Sequence, residues 1–230
     1  MLAVTLIIIL IGLAGFPWLQ RHLPAHWNPF TPLSVTEPPG PITRYKLQRL
    51  RDDPAACLAV LQRARDAGWV SFTQPPAIKG ACPLEMPIRI QRFANVALSS
   101  SFLASCPLAV SSTMFVIQAN KMATESPLHS PLARIEHVGS YACRNIYHRA
   151  QGRLSEHASA NAWDVTAFRL ENGKRISVSR DWQLTGNASS LLHQWFNASC
   201  DWFGNSLGPD YNAAHATHFH LGMHGYGLCR

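Results

Sequence analysis

A chain of 230 residues, 47% hydrophobic and only 14% charged, has material for one well-filled domain and a short appendage, which argues against wholesale disorder and against a second full domain. Its +7 balance, 20 Lys and Arg against 13 acidic residues, suits anionic surroundings such as a membrane surface or a wall polymer. The basic residues form no run of five or more, and no helix-turn-helix or basic-aromatic motif accompanies them, so the expectation is no nucleic acid among the partners.

Leu2 to Leu19 is almost unbroken apolar sequence, with Thr5 the only polar side chain. That length matches the roughly 20 residues a helix needs to cross the hydrocarbon core. Residues 1–20 are therefore expected to be a transmembrane anchor, with a cleaved signal peptide as the alternative because Leu13-Ala14-Gly15 offers small residues for processing. Trp18 and Arg21 suit the membrane interface. Seven prolines follow, Pro17, Pro24, Pro29, Pro32, Pro38, Pro39 and Pro41. They forbid continuous helix, so residues 21–42 are expected as an extended, semi-rigid linker. The folded domain is expected over 43–230.

Asp53-Pro54 supplies an N-cap and a first-turn proline, and Cys57, Leu58, Val60, Leu61 and Ala64 follow at helical spacing up to Gly68. A second helix is expected to open at Ser105 to Pro107. Trp163 to Leu170 alternates between two faces, Glu171-Asn172-Gly173 has turn chemistry, and Lys174 to Val178 resumes as a strand, which makes a hairpin. Ser189 to Cys200 reads as a helix with Leu191, Leu192, Trp195 and Phe196 on one face, and Thr217 to Met223 as a closing strand. The expected fold class is α+β: a small antiparallel sheet carrying the functional site, packed with several helices, after an N-terminal transmembrane helix. Six cysteines, Cys57, Cys82, Cys106, Cys143, Cys200 and Cys229, contain no CxxC pair and read as a disulfide set from an oxidising compartment. The positive-inside rule, applied to Arg21, Arg44 and Lys46, points weakly the other way, and the cysteines carry more weight. Cys200 and Cys229 bracket the last strand and are expected to pair, with the other four in unknown order.

Four of the eleven histidines, His215, His218, His220 and His224, fall in the last sixteen residues, and His157 lies upstream. The strand period of two puts His218 and His220 on one face and leaves Phe219 and Leu221 to pack in the core. Asp164, seven residues after His157, opens a strand of alternating apolar positions. A carboxylate there needs a partner, because burying it unpaired costs several kcal/mol. A metal shared with histidines is one possibility, and an ion pair with an arginine such as Arg144 is the other.

Two long motifs take the reading further. Ser155-Glu156-His157-Ala158-x-x-Asn161-Ala162-x-Asp164 and Leu207-Gly208-Pro209-Asp210-Tyr211-Asn212-x-x-His215-x-x-His218-Phe219-His220-Leu221, together with Ser140-Tyr141-x-Cys143-Arg144, resemble the extensin-like C-terminal domain family. That family is similar in its motifs to zinc peptidases of the lysostaphin, D-Ala-D-Ala carboxypeptidase and hedgehog group. The resemblance implies Zn2+ bound by His157, Asp164 and His220, with His218 as general base or oxyanion stabiliser and His215 beside it. It implies a zinc metallopeptidase cutting amide bonds of peptidoglycan, anchored in a bacterial inner membrane with its domain in the periplasm. The alternative is a non-catalytic wall-binding or scaffolding module that keeps the fold. Three departures from the family pattern bear on that choice: Ala160 where glycine is usual, Thr217 where an acidic residue commonly precedes the His-x-His pair, and Gly222 where Asp commonly follows it.

Overall fold

The structure, a computed structural model, describes Thr5 and residues 15–18, 20–225 and 227–230. The transmembrane helix expected over 1–20 falls mostly outside those residues, and among the described residues no helix is long and apolar enough to cross a membrane.

Helix α1 spans Pro41–Arg49 and α2 spans Pro54–Asp66. Asp53 caps α2 as expected: its Oδ1 accepts the Ala56 N–H at 2.9 Å, a contact that typically contributes about 1 kcal/mol. The strands in chain order are β1 Ser71–Thr73, β2 Ile88–Phe93, β3 Val96–Ala104, β4 Leu132–Gly139, β5 Ala162–Leu170, β6 Arg175–Ser177, β7 Asn205–Leu207, β8 Phe219–Gly222 and β9 Leu228–Cys229. Helix α3, Cys106–Glu125, lies between β3 and β4 and is capped by Ser105 Oγ, which accepts from Leu108 N. The short α4, Val178–Asp181, and then α5, Asn187–Ser199, follow β6. Apolar on nearly every side, α3 is the central packing element and rests on α2, α5, β2 and β4.

Among the described residues one nine-stranded sheet runs β1-β2-β3-β4-β5-β8-β7-β9, with β6 paired to the second half of β5. The mixed α+β class agrees with expectation, but the sheet is neither small nor wholly antiparallel. Strands β3 and β4 pair in parallel, joined by α3 as the crossover helix such a pair requires, and β7 pairs in parallel with β9. The first four strands had no clear sequence signal because bulges break their alternation. The register shift between Ile90 and Arg92, for example, leaves two consecutive exposed residues inside β2.

Residues 28–37 lie against the domain. Leu33 and Val35 join the core, and Lys46 Nζ, on α1, bonds Glu37 Oε2 at 3.0 Å and Ala25 O at 2.7 Å. Prolines stopped this stretch, expected as an extended linker, from forming helix, but they left its apolar side chains free to pack. Three disulfides close the frame: Cys57–Cys106 ties α2 to the start of α3, Cys82–Cys143 ties two loops, and Cys200–Cys229 fastens β9 to the end of α5.

Candidate metal centre

Strand β5 is bonded to β4 on one side and to β8 on the other, and Asp164 is the direct cross-strand partner of His220. Directly opposed residues project to the same face, so pairing alone brings this carboxylate and this imidazole together. Trp163, Val165, Phe219 and Leu221 alternate with them and are fully buried. His157 arrives from the short 3-10 turn Glu156–Ser159, capped by Ser155, and its backbone carbonyl accepts from Ala142 N.

One donor atom from each of His157, Asp164 and His220 lies within 4.8 Å of the other two. His220 Nδ1 stands 3.0 Å from Asp164 Oδ1, and His157 Nε2 stands 3.2 Å from Asp164 Oδ2. His157 Nδ1–H donates to Ser140 O at 2.7 Å. That bond sets the tautomer, so a neutral His157 turns the lone pair of Nε2 toward a carboxylate oxygen. Two such lone pairs repel unless a proton or a metal cation lies between them. A buried carboxylate with a ring nitrogen against each oxygen, and one ring held through its far nitrogen by a carbonyl, is the donor set a zinc ion takes. Burial works against the charge on Asp164, yet hydrogen bonds from His157 and His220 outweigh it and hold the carboxyl well below its usual range. Burial likewise opposes protonation of His157, but Asp164 wins and raises its pKa. Arg144 is not the partner of Asp164.

These groups open into a cleft of about 510 Å³ whose wall includes His215, His218, Tyr211, Tyr147 and Arg144. His218 points the same way as His220, its Nε2 3.7 Å from Asp164 Oδ1. Burial lowers its pKa, with His220, His157 and Arg144 adding to the effect and Asp164 opposing it. His215 Nδ1–H donates to Asn212 Oδ1 at 2.8 Å, which leaves Nε2 as its free lone pair. Burial and the neighbouring His220 and His218 push its pKa down to about 4. The structure thus brings all five predicted residues to one place. Trp182, Trp195 and Trp202 are buried in the core, whereas Tyr147 and Tyr211 line the cleft.

Two departures from the family pattern have physical readings. Ala160 adopts the left-handed conformation, φ 51°, which favours glycine by about 1–2 kcal/mol. Above Gly222 lies a pair the sequence did not reveal: Glu156 Oε1 accepts from Asn205 Nδ2 at 2.7 Å, and Oε2 accepts from His224 N at 3.0 Å. These bonds tie the His157 turn to β7 and to the end of β8. Adjacency of Glu156 to His157 was the available signal for it; Asn205 gave none. Thr217 Oγ1 reaches only 3.5 Å from His218 Nδ1, so no carboxylate orients that ring from position 217.

A family model described as extensin-like protein C-terminus matches residues 55–230. No curated protein and no solved structure matches the chain.

Proposed function

We propose, from the premise that the chain belongs to the extensin-like protein C-terminus family, that it is a membrane-anchored, zinc-dependent hydrolase cutting amide bonds in the peptide part of peptidoglycan. The observation that carries this reading is the convergence of His157, Asp164 and His220 at the floor of a cleft, with two further imidazoles on the same wall. Three ligands would leave a fourth tetrahedral position for water, the catalytic rather than the structural arrangement of zinc. Bound there, zinc would polarise the scissile carbonyl and lower the pKa of its water to about 7.

The remaining steps fall to groups of the protein itself. Ser140 O holds the His157 ring in the tautomer that presents Nε2 to the ion. Asn212 Oδ1 fixes the tautomer of His215, whose Nε2 is kept unprotonated at neutral pH and faces the cleft rather than binding the ion. His218, on the face of His220, takes the proton from the attacking water and passes it to the leaving amine, or donates to the developing oxyanion. Arg144, without an ion-pair partner among the described residues, adds positive potential for the charge that forms. Complete pairing of the six cysteines supports an extracytoplasmic domain, and the apolar run over 1–20 supports its tether.

The test is digestion of purified peptidoglycan by the full chain with and without chelator, with products identified by mass. Chelation is expected to abolish release, and His218→Ala to reduce it about 10²–10⁴-fold, the range of a lost general base. The alternative, a wall-binding module, is favoured by the absent carboxylate at Thr217. It would be the correct reading if the protein held zinc tightly, released no products, and bound wall equally well as His218→Ala.

A further inference from the structure

The metal cleft does not end at Glu156. A second cavity, of about 360 Å³, adjoins it, and Ile146, Ser155, Glu156 and His224 belong to the walls of both. The shared ridge is low, since Ile146 and His224 are exposed. Beyond it the wall is mostly apolar, with Ala81, Pro83, Leu154 and Ala158, and its polar members are Arg153 and Ser159. Leu154 is 55% exposed, an apolar surface with nothing packed over it among the described residues.

Charge accounting across the two cavities is lopsided. Their carboxylates are Asp164 and Glu156, and both are committed: Asp164 between His157 and His220, Glu156 to Asn205 and the His224 backbone. Their guanidiniums are Arg144 and Arg153, and neither side chain has a hydrogen bond or ion pair among the described residues. The backbone that presents Arg153 is nonetheless pinned. Asn145 and Leu154 form a β-bridge, Ile146 N donates to Arg153 O at 3.0 Å, and the opposite wall is held by Cys82–Cys143 and by Tyr141 Oη donating to Cys82 O at 2.7 Å. An uncommitted cation on a pinned backbone, beside an uncovered apolar shelf, fits a group with an aliphatic stem and a carboxylate end.

We propose that this second cavity is an extension subsite for the substrate peptide, taking a residue with a free carboxylate that lies one or more bonds away from the amide held at the metal. Its aliphatic part rests on Pro83, Ile146 and Leu154, and its carboxylate meets Arg153. The inference rests on the hydrolase reading given above and adds to it a basis for substrate choice: an acidic peptide is preferred over its amidated counterpart.

The experiment compares two synthetic wall stem peptides, one with a free glutamyl α-carboxylate and one with that group amidated, against the full zinc-loaded chain and Arg153→Gln. Arg153 has no side-chain partner, so the variant is expected to fold and to hold zinc as the wild type does. The wild type is expected to show a KM about tenfold lower for the free acid, the size of one charge-assisted contact, and Arg153→Gln to lose that preference at unchanged kcat. A preference that persists in Arg153→Gln overturns the proposal, as does its absence from the wild type. If neither peptide is cut, the hydrolase reading fails separately, and equilibrium binding of the same two peptides decides the subsite by the same comparison.

Discussion

A β-carbon on Gly222 would lie 2.5 Å from Asn205 Nδ2 and 2.6 Å from Glu156 Oε2, closer than van der Waals contact allows. The space that a side chain would fill at this position is taken by the pair that holds the His157 turn, so a residue and its support have exchanged places. Asp at 222, the residue expected from the family resemblance, is therefore not a restoring change in this chain. Gly222→Asp is expected to displace Glu156 and Asn205, to cost about 2 kcal/mol of stability, and to weaken zinc about 10–100-fold. Urea denaturation of the zinc-free protein and competition against a chelator of known affinity would measure the two effects. Unchanged zinc affinity would show that the Glu156–Asn205 pair does not position His157. The three clustered residues themselves, His157, Asp164 and His220, were legible in sequence because the motifs carry them. Their supports were not: Ser140 acts through its carbonyl, which any residue has, and Asn205 lies 49 positions from Glu156.

Strand β5 connects the site to the rest of the sheet, and it is braced at its far end by Glu136 on β4, which binds Arg175 Nη2 at 2.7 Å and Arg169 Nε at 2.8 Å. Hydrogen bonding to Arg175, reinforced by Arg169, holds the Glu136 carboxyl below its ordinary range against the opposing effect of burial. A depressed folded pKa means that this brace stabilises fully above the unfolded value of about 4.3 and is lost as pH falls through the folded value. Glu136→Gln should cost about 1 kcal/mol near neutral pH, a modest figure because the group is partly solvated. The gap between its melting temperature and that of the wild type should close as pH is lowered from about 6 to about 3. A gap independent of pH would mean that the charge of Glu136 contributes nothing. The hairpin of β5 and β6 was readable from alternation and from its Asn-Gly turn, and the α2 and α3 starts from their caps. Strands β1 to β4 were not, because their bulges and one parallel pairing destroy the local period on which such reading depends.

At the scale of the molecule, the chain's last residues complete the site's edge. Strand β9 pairs with β7, Gly208 N donates to Arg230 O at 2.7 Å, and Leu228 lines the cleft. Cys200–Cys229 closes a segment with a sequence separation of 29 and holds that edge down. Cys229→Ser should cost about 3 kcal/mol, the usual scale for a loop of that order. Hydrogen exchange should quicken at Ser206 and Arg230 before it does in α3; unaltered protection there would show that β9 stays paired without the bridge. By itself the sequence determined the family, the caps of α2 and α3, the β5–β6 hairpin and the identity of the five cleft residues, since each is encoded in a local pattern or a contiguous motif. Only the tertiary structure decided the breadth of the sheet, the pairing of Cys57, Cys82, Cys106 and Cys143, the packing of residues 28–37 and the supports of His157. Those depend on which distant segments meet, and contacts between distant segments leave no local period to read.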